Sequence, residues 1–96
     1  MSPINKKKLN LIRIKLDRLD AEMLRLLKKR SDLVNEVLKV KIHKKEIIDQ
    51  KRINFILKKI KKKSIQLKID PKITNRIWKN MIWSFIDYEK RNFKIK

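Results

Sequence analysis

The longest pattern in this sequence is an apolar stripe that recurs at alternating steps of three and four residues from Leu9 to Val40. This spacing returns to the same face of an α-helix at every step, so it predicts one continuous helix. At about 1.5 Å per residue the stripe is roughly 48 Å long, more than two shorter helices of the same chain can cover. We therefore expect a second chain to help bury it. Its members are Leu9, Ile12, Leu16, Leu19, Met23, Leu26, Arg30, Leu33, Val37 and Val40.

Arg30 is the one charged residue in this stripe. The residues three and four positions away on the same helix are all aliphatic, so no carboxylate of this helix can reach its guanidinium. Burying a guanidinium is costly unless an anion meets it. Lys41 follows 11 residues later at nearly the same angular position, and it also has no acidic residue within one turn. Two cations on an apolar face predict an anion-binding site, with the anion supplied by another segment or by a ligand.

The remainder of the chain favours two further helices. The sequence contains no glycine and only two prolines, which argues against sheets with tight turns. We expect one all-α domain over residues 1–96, with helices at about 6–42, 48–66 and 71–93 and a basic loop at 43–47. The Asp70-Pro71 pair predicts the start of the third helix, since Asp is a common N-cap residue and Pro suits the first helical position. The residues expected to face inward are Ile53, Ile56, Leu57, Ile60, Ile73, Ile77, Trp78, Met81, Ile82, Phe85 and Ile86.

Composition excludes several classes of function. The longest uninterrupted apolar runs are too short for a membrane span or a secretory signal, so no membrane association and a cytoplasmic location are expected. The absence of cysteine and the single histidine exclude disulfides and leave no plausible zinc site. No cofactor is expected.

The formal net charge of +19 is extreme and has three possible explanations. It can reflect an AT-rich genome, since lysine dominates the basic residues and Ile and Asn are also abundant. It can steer a small anionic substrate, or it can bind a polyanion such as nucleic acid. A helical nucleic-acid-binding dimer is the non-enzymatic alternative, but a phosphate-binding arginine should be exposed rather than placed on an apolar stripe as Arg30 is.

Three stretches of this sequence resemble the all-α chorismate mutase family. They are LNLIRIKLDRLDAEMLRLLKKRSDLVNEVLKVK, DQKR and IWKNMIWSFIDYEKR. The 17-residue step from Arg13 to Arg30 and the 11-residue step from Arg30 to Lys41 fit the family spacing. The resemblance covers about residues 6–93. It implies an intertwined homodimer of three-helix chains, in which each of two active sites draws on both chains.

The resemblance also implies roles for individual residues. Arg13 would reach into the partner's site, where it would hold the carboxylates of a dicarboxylate substrate, chorismate, together with Arg30 and Arg52. Lys41 would approach the ether oxygen whose bond breaks. Asp49 would lie beside the substrate ring and its hydroxyl.

Two third-helix residues depart from the usual family pattern. Glu89 occupies the position where many members have a glutamine that hydrogen-bonds the ether oxygen, so it would need a proton to donate the same bond. Phe85 stands where some members have serine, and Ile53 stands where several have glutamate. These apolar replacements also resemble isochorismate-pyruvate lyase, a related enzyme of the same fold, but Glu89 fits neither pattern fully. The mutase remains favoured over the lyase, because Glu89 replaces the glutamine that is usual in the lyase. The mutase's pericyclic rearrangement needs an oriented substrate and stabilised charge on the ether oxygen, which these residue types can supply.

Overall fold

The computed structural model of the chain describes residues 2–41 and 43–94. Within these ranges it contains α1 (Pro3–Val40), a 3₁₀ helix (Lys44–Ile47), α2 (Gln50–Gln66) and α3 (Pro71–Asn92). The described residues contain no strand, which confirms the predicted all-α class with three α-helices. None of these helices is both long enough and apolar enough to cross a membrane.

The first helix begins three residues before the predicted start. Pro3 occupies its first turn, where the missing N–H costs nothing because that group has no partner within the helix. The hydroxyl of Ser2 accepts a hydrogen bond from the backbone N–H of Asn5 at 3.2 Å, as an N-cap does. The predicted end of this helix, residue 42, lies outside the described residues.

The segment expected to be a basic loop contains the 3₁₀ helix instead. The carboxylate of Glu46 accepts a hydrogen bond from the backbone N–H of His43 at 2.9 Å, which closes the turn. Ile47 at its end is only 3% exposed. Burial of this one apolar side chain explains why the segment packs against the protein rather than extending into solvent.

The connection between α2 and α3 is a tight helix stop made without glycine. The N–H of Lys68 bonds to the carbonyl of Ile65 at 3.1 Å, and the N–H of Ile69 bonds to the carbonyl of Ser64 at 2.9 Å. These two hydrogen bonds form a Schellman motif, in which the residue after the helix has a left-handed conformation and is usually glycine. Here Lys68 takes that conformation, with φ of 59°. Asp70 then caps α3 by accepting from the N–H of Lys72 at 2.9 Å.

The core of the second half of the chain is small and formed by isoleucines. Ile47, Ile53, Ile82 and Ile86 are buried, and partly buried side chains pack around them, namely Ile56, Leu57, Trp78 and Phe93. The inward residues predicted for α2 are confirmed. On α3 the predictions for Ile73 and Ile77 are wrong, since these side chains are 55% and 43% exposed. The apolar face of α3 is wider than the surface that α2 and the 3₁₀ helix cover.

A buried polar pair joins α2 to α3. The hydroxyl oxygens of Ser64 and Thr74 lie 2.7 Å apart and share a hydrogen bond, and the Ser64 hydroxyl also lies 2.6 Å from the carbonyl of Ile60. Both side chains are buried, at 3% and 8% exposure. Because each hydroxyl finds a partner, the pair fixes the two helices without leaving an unsatisfied group.

The chain divides into two compact units, Met1–Leu33 and Val34–Lys96, with the division inside α1. No side chain of α1 is buried in the single chain. Members of the apolar stripe such as Ile12, Leu16 and Leu19 are more than half exposed, at 54%, 52% and 55%. The burial expected for this stripe is therefore not provided by the chain itself.

Candidate active site

The buried carboxylate of Glu89 forms an ion pair with Lys41. The ammonium of Lys41 lies 3.0 Å from Oε1 of Glu89, and the two side chains are 16% and 8% exposed. An ion pair so shielded from water interacts more strongly than a surface pair. Two of the predicted catalytic residues, 48 positions apart in sequence, are thus in direct contact.

Both partners are held in place by neighbouring secondary structure. Lys41 continues the end of α1, with its N–H bonded to the carbonyl of Val37 at 3.2 Å. Glu89 lies on α3 one turn after the buried Ile86, so the same face of α3 that forms the core carries this carboxylate. A second contact links these two segments, because the hydroxyl of Tyr88 donates to the side-chain oxygen of Asn35 at 2.8 Å.

Lys41 also lines an open cavity of about 450 Å³. This volume lies within the range of small-molecule sites in proteins. The lining contains two cations and two carboxylates together with one aliphatic and one amide side chain. The lining residues are Lys41, Glu46, Ile48, Asp49, Gln50 and Lys51.

The two carboxylates of this cavity already accept backbone hydrogen bonds. Oδ1 of Asp49 accepts from the N–H of Arg52 at 3.0 Å, which makes it the N-cap of α2. Glu46 accepts from His43 in the 3₁₀ helix. Asp49 lies on the cavity wall, and its remaining lone pairs can accept a hydrogen bond from a ligand hydroxyl.

Arg52 lies one turn into α2 and is exposed. Its guanidinium carbon lies 5.4 Å from the centre of the Phe55 ring. The structure does not place Arg52 among the residues lining the cavity, although the Asp49 carboxylate that binds its N–H does line it.

The other predicted residues are distributed along α1 and α3. Arg13 and Arg30 belong to the first unit, where Arg13 is exposed and Arg30 is partly buried. Phe85 is partly buried on α3, one turn before Glu89. Ile53, which replaces a family glutamate, is 7% exposed and belongs to the core. Its side chain is therefore committed to packing.

Sequence reasoning missed four of the lining residues, Glu46, Ile48, Gln50 and Lys51. Glu46 belongs to the 3₁₀ helix, which the sequence analysis did not predict, and Gln50 and Lys51 form the first turn of α2. A signal was present in retrospect, since Glu46 follows His43 at the spacing of a helix cap and Ile47 breaks a run of charged residues.

This arrangement can bind and polarise an oxygen-rich ligand. Lys41 forms part of the cavity wall, and its ammonium is held by the Glu89 carboxylate. Among the described residues that line the cavity, none is a cysteine, serine or histidine. Its lining suits a reaction that is accelerated by orientation and electrostatic stabilisation.

Comparison with known proteins gives one match. A family model described as chorismate mutase type II matches residues 12–90 of the chain. No curated protein and no solved structure matches the chain significantly.

Proposed function

This chain belongs to the chorismate mutase type II family, and from that membership we propose that it rearranges chorismate to prephenate. The product would supply phenylalanine and tyrosine biosynthesis at the end of the shikimate pathway. The observation that carries the proposal is the Lys41–Glu89 pair beside an open cavity. These are the two residues that the family resemblance assigns to the ether oxygen.

The proposed mechanism uses binding and charge. Chorismate carries two carboxylates, and the enzyme must hold it in the compact chair in which the new carbon–carbon bond can form. As the carbon–oxygen bond breaks, negative charge develops on the ether oxygen. Lys41 would stabilise this charge, because a cation already oriented by Glu89 needs little reorganisation during the reaction.

Arginines would hold the carboxylates, since the guanidinium fork binds carboxylate bidentately. By the resemblance these are Arg30 and Arg52 of one chain and Arg13 of the partner subunit. Asp49, on the cavity wall, would accept a hydrogen bond from the substrate hydroxyl. The family glutamate that contacts this hydroxyl is replaced by the buried Ile53, which leaves the task to Asp49 or a backbone group.

A homodimer is part of this proposal. It is supported by the apolar stripe of α1, none of whose side chains is buried among the described residues. Pairing of two such helices would bury the stripe and bring Arg13 of each chain to the partner's site.

Isochorismate-pyruvate lyase is the alternative activity. The observations that favour it are the apolar Ile53 after Arg52 and the aromatic Phe85 on α3. Glu89 disfavours it, because the lyases usually carry glutamine there.

The test is the loss of chorismate absorbance on adding purified protein, with acid conversion of prephenate to phenylpyruvate as the product check. Isochorismate is assayed in parallel. Replacing Lys41 with methionine, or Arg30 with alanine, should lower kcat/KM by about 10²- to 10³-fold, as expected for loss of one transition-state donor. Lys45→Met, an exposed lysine of the 3₁₀ helix, is the matched control and should change kcat/KM less than threefold or so.

The outcomes separate the candidates. Pyruvate release from isochorismate without chorismate turnover would replace the mutase by the lyase. If neither substrate turned over while the protein bound DNA tightly at physiological salt, the enzymatic proposal would be abandoned.

A further inference from the structure

Phe55 is an aromatic side chain on α2 that takes no part in the core. It is 54% exposed and lies outside the buried cluster and the side chains packed against it. Its ring instead has two cationic neighbours. The guanidinium carbon of Arg52 lies 5.4 Å from the ring centre, and the ammonium of Lys59 lies 5.9 Å from it.

The helix geometry explains this arrangement. Arg52 precedes Phe55 by three residues and Lys59 follows it by four, so all three side chains project from the same side of α2. Ile53 is buried in the core on another side of α2, and Ile56 packs against the same core, which fixes the rotation of the helix. A cation within about 6 Å of an aromatic ring centre is attracted by the negative face of the ring.

We propose that Phe55 is a positioning residue for Arg52, holding its guanidinium ready to bind a substrate carboxylate. This inference rests on the proposed function, in which Arg52 is a carboxylate ligand. A guanidinium that stacks on an aromatic ring uses its face, and its N–H donors, which lie in the plane, then remain available to a carboxylate. Phe55 can thus restrict Arg52 without occupying the groups that bind.

Restriction before binding improves affinity. A free arginine side chain on a helix surface samples many rotamers, and this freedom is lost when it binds a ligand. If the Phe55 ring has already selected the rotamers near it, less freedom is lost on binding. At the base of the side chain, the Asp49 cap fixes the Arg52 backbone through its 3.0 Å hydrogen bond. Arg52 is then held at its backbone by Asp49 and at its guanidinium by Phe55.

The test compares Phe55→Leu with Phe55→Tyr in steady-state kinetics on chorismate. Loss of one exposed cation–π contact should raise KM about two- to fivefold, with kcat changed by less than about twofold. The tyrosine variant retains an aromatic face and should return KM to the wild-type value. Ile65→Ala is the matched control, because it truncates an apolar side chain of the same helix with 59% exposure. It should leave both constants unchanged.

A structural readout accompanies the kinetics. In the proton NMR spectrum the Arg52 δ-protons should show an upfield ring-current shift in the wild-type protein and lose it in Phe55→Leu. Absence of that shift in the wild type would overturn the inference. So would an unchanged KM in Phe55→Leu where Arg52→Ala raises KM tenfold or more, and the proposed function would then stand. Absence of turnover by the wild-type protein would overturn the proposed function and the positioning role together.

Discussion

The first helix and the α2–α3 pair have similar apolar patterns, but they differ in how far the single chain buries their apolar side chains. The α2–α3 pair buries Ile53, Ile82 and Ile86 and joins its helices through Ser64 and Thr74. The first helix buries no side chain, although its stripe is longer and more regular. The difference teaches that periodicity predicts which face of a helix must be covered, but not which molecule covers it.

The ion pairs of the molecule also differ in burial. The last residues of α1 contribute to the second unit, where Lys41 is paired with the buried Glu89. Ion pairs of the exposed surfaces, such as Lys28 with Asp32 and Arg91 with Asp87, are one-turn contacts in water. Pairs of that kind contribute little to stability. A buried pair formed across distant segments has to serve packing or function.

The largest expected effect comes from placing a charge on the stripe of α1. Leu16→Glu should dissociate the proposed dimer, because each chain would bury a glutamate where leucine contributes about 1.5–3 kcal/mol. Because both chains of the dimer carry the substitution, its free-energy cost is doubled, and the dimer dissociation constant should rise by about 10²- to 10⁴-fold. The measurement is molar mass by light scattering across a range of protein concentrations.

Ile14→Glu is the matched control for that experiment. Ile14 is 48% exposed, close to the 52% of Leu16, but it lies on nearly the opposite face of the helix. It should leave the molar mass unchanged. Equal behaviour of the two variants would show that the stripe is not the dimer surface.

The second prediction concerns the hydrogen-bond donor at position 89. The Glu89 carboxylate accepts from the Lys41 ammonium at 3.0 Å, whereas the amide of Glu89→Gln can donate to the ether oxygen. In the proposed mechanism a donor at this position stabilises the developing charge, so Glu89→Gln should raise kcat by about tenfold. The measurement is steady-state kinetics on chorismate at a single pH.

Asp87→Asn provides the control for the Glu89 experiment. It removes a carboxylate from the same helix, but from an exposed pair with Arg91. Its kcat should match that of the wild type. If the kcat of Glu89→Gln also matched, the need for a hydrogen-bond donor at position 89 would be rejected.

The smallest effect is expected for the polar link within the α2–α3 pair. Ser64→Ala should lower the free energy of unfolding by about 1–3 kcal/mol, because it leaves the buried Thr74 hydroxyl without its short partner. The measurement is urea unfolding followed by circular dichroism, with an unchanged m-value showing that the change is one of stability.

Ser84→Ala is the matched control for Ser64→Ala. Its hydroxyl donates to the carbonyl of Asn80 at 2.6 Å, as that of Ser64 does to Ile60, but Ser84 is exposed. Ser84→Ala should change the free energy of unfolding by less than about 0.5 kcal/mol. A similar loss in both variants would assign the effect to the shared serine–carbonyl bond, not to the link between helices.

Much of the fold could be predicted because its signals are local. The stripe from Leu9 to Val40 and the Asp70-Pro71 start each depend on residues within one or two helical turns, and the structure has the corresponding helices. For the 3₁₀ helix the local signal was only the spacing of His43 and Glu46. The burial of Ile47 depends on the apolar cluster against which it packs, and no residue of its own segment predicts that contact.

The candidate site divides along the same line. The sequence by itself determined which cations share the apolar stripe, because the angular position of Arg30 and Lys41 on a helix follows from their numbers alone. Only the tertiary structure decided that Lys41 contacts Glu89, that Asp49 joins it on a cavity wall, and that Ile53 turns into the core. The physical reason is that helix periodicity acts over a few residues, whereas ion pairing and burial are decided by whichever distant segment packs against them.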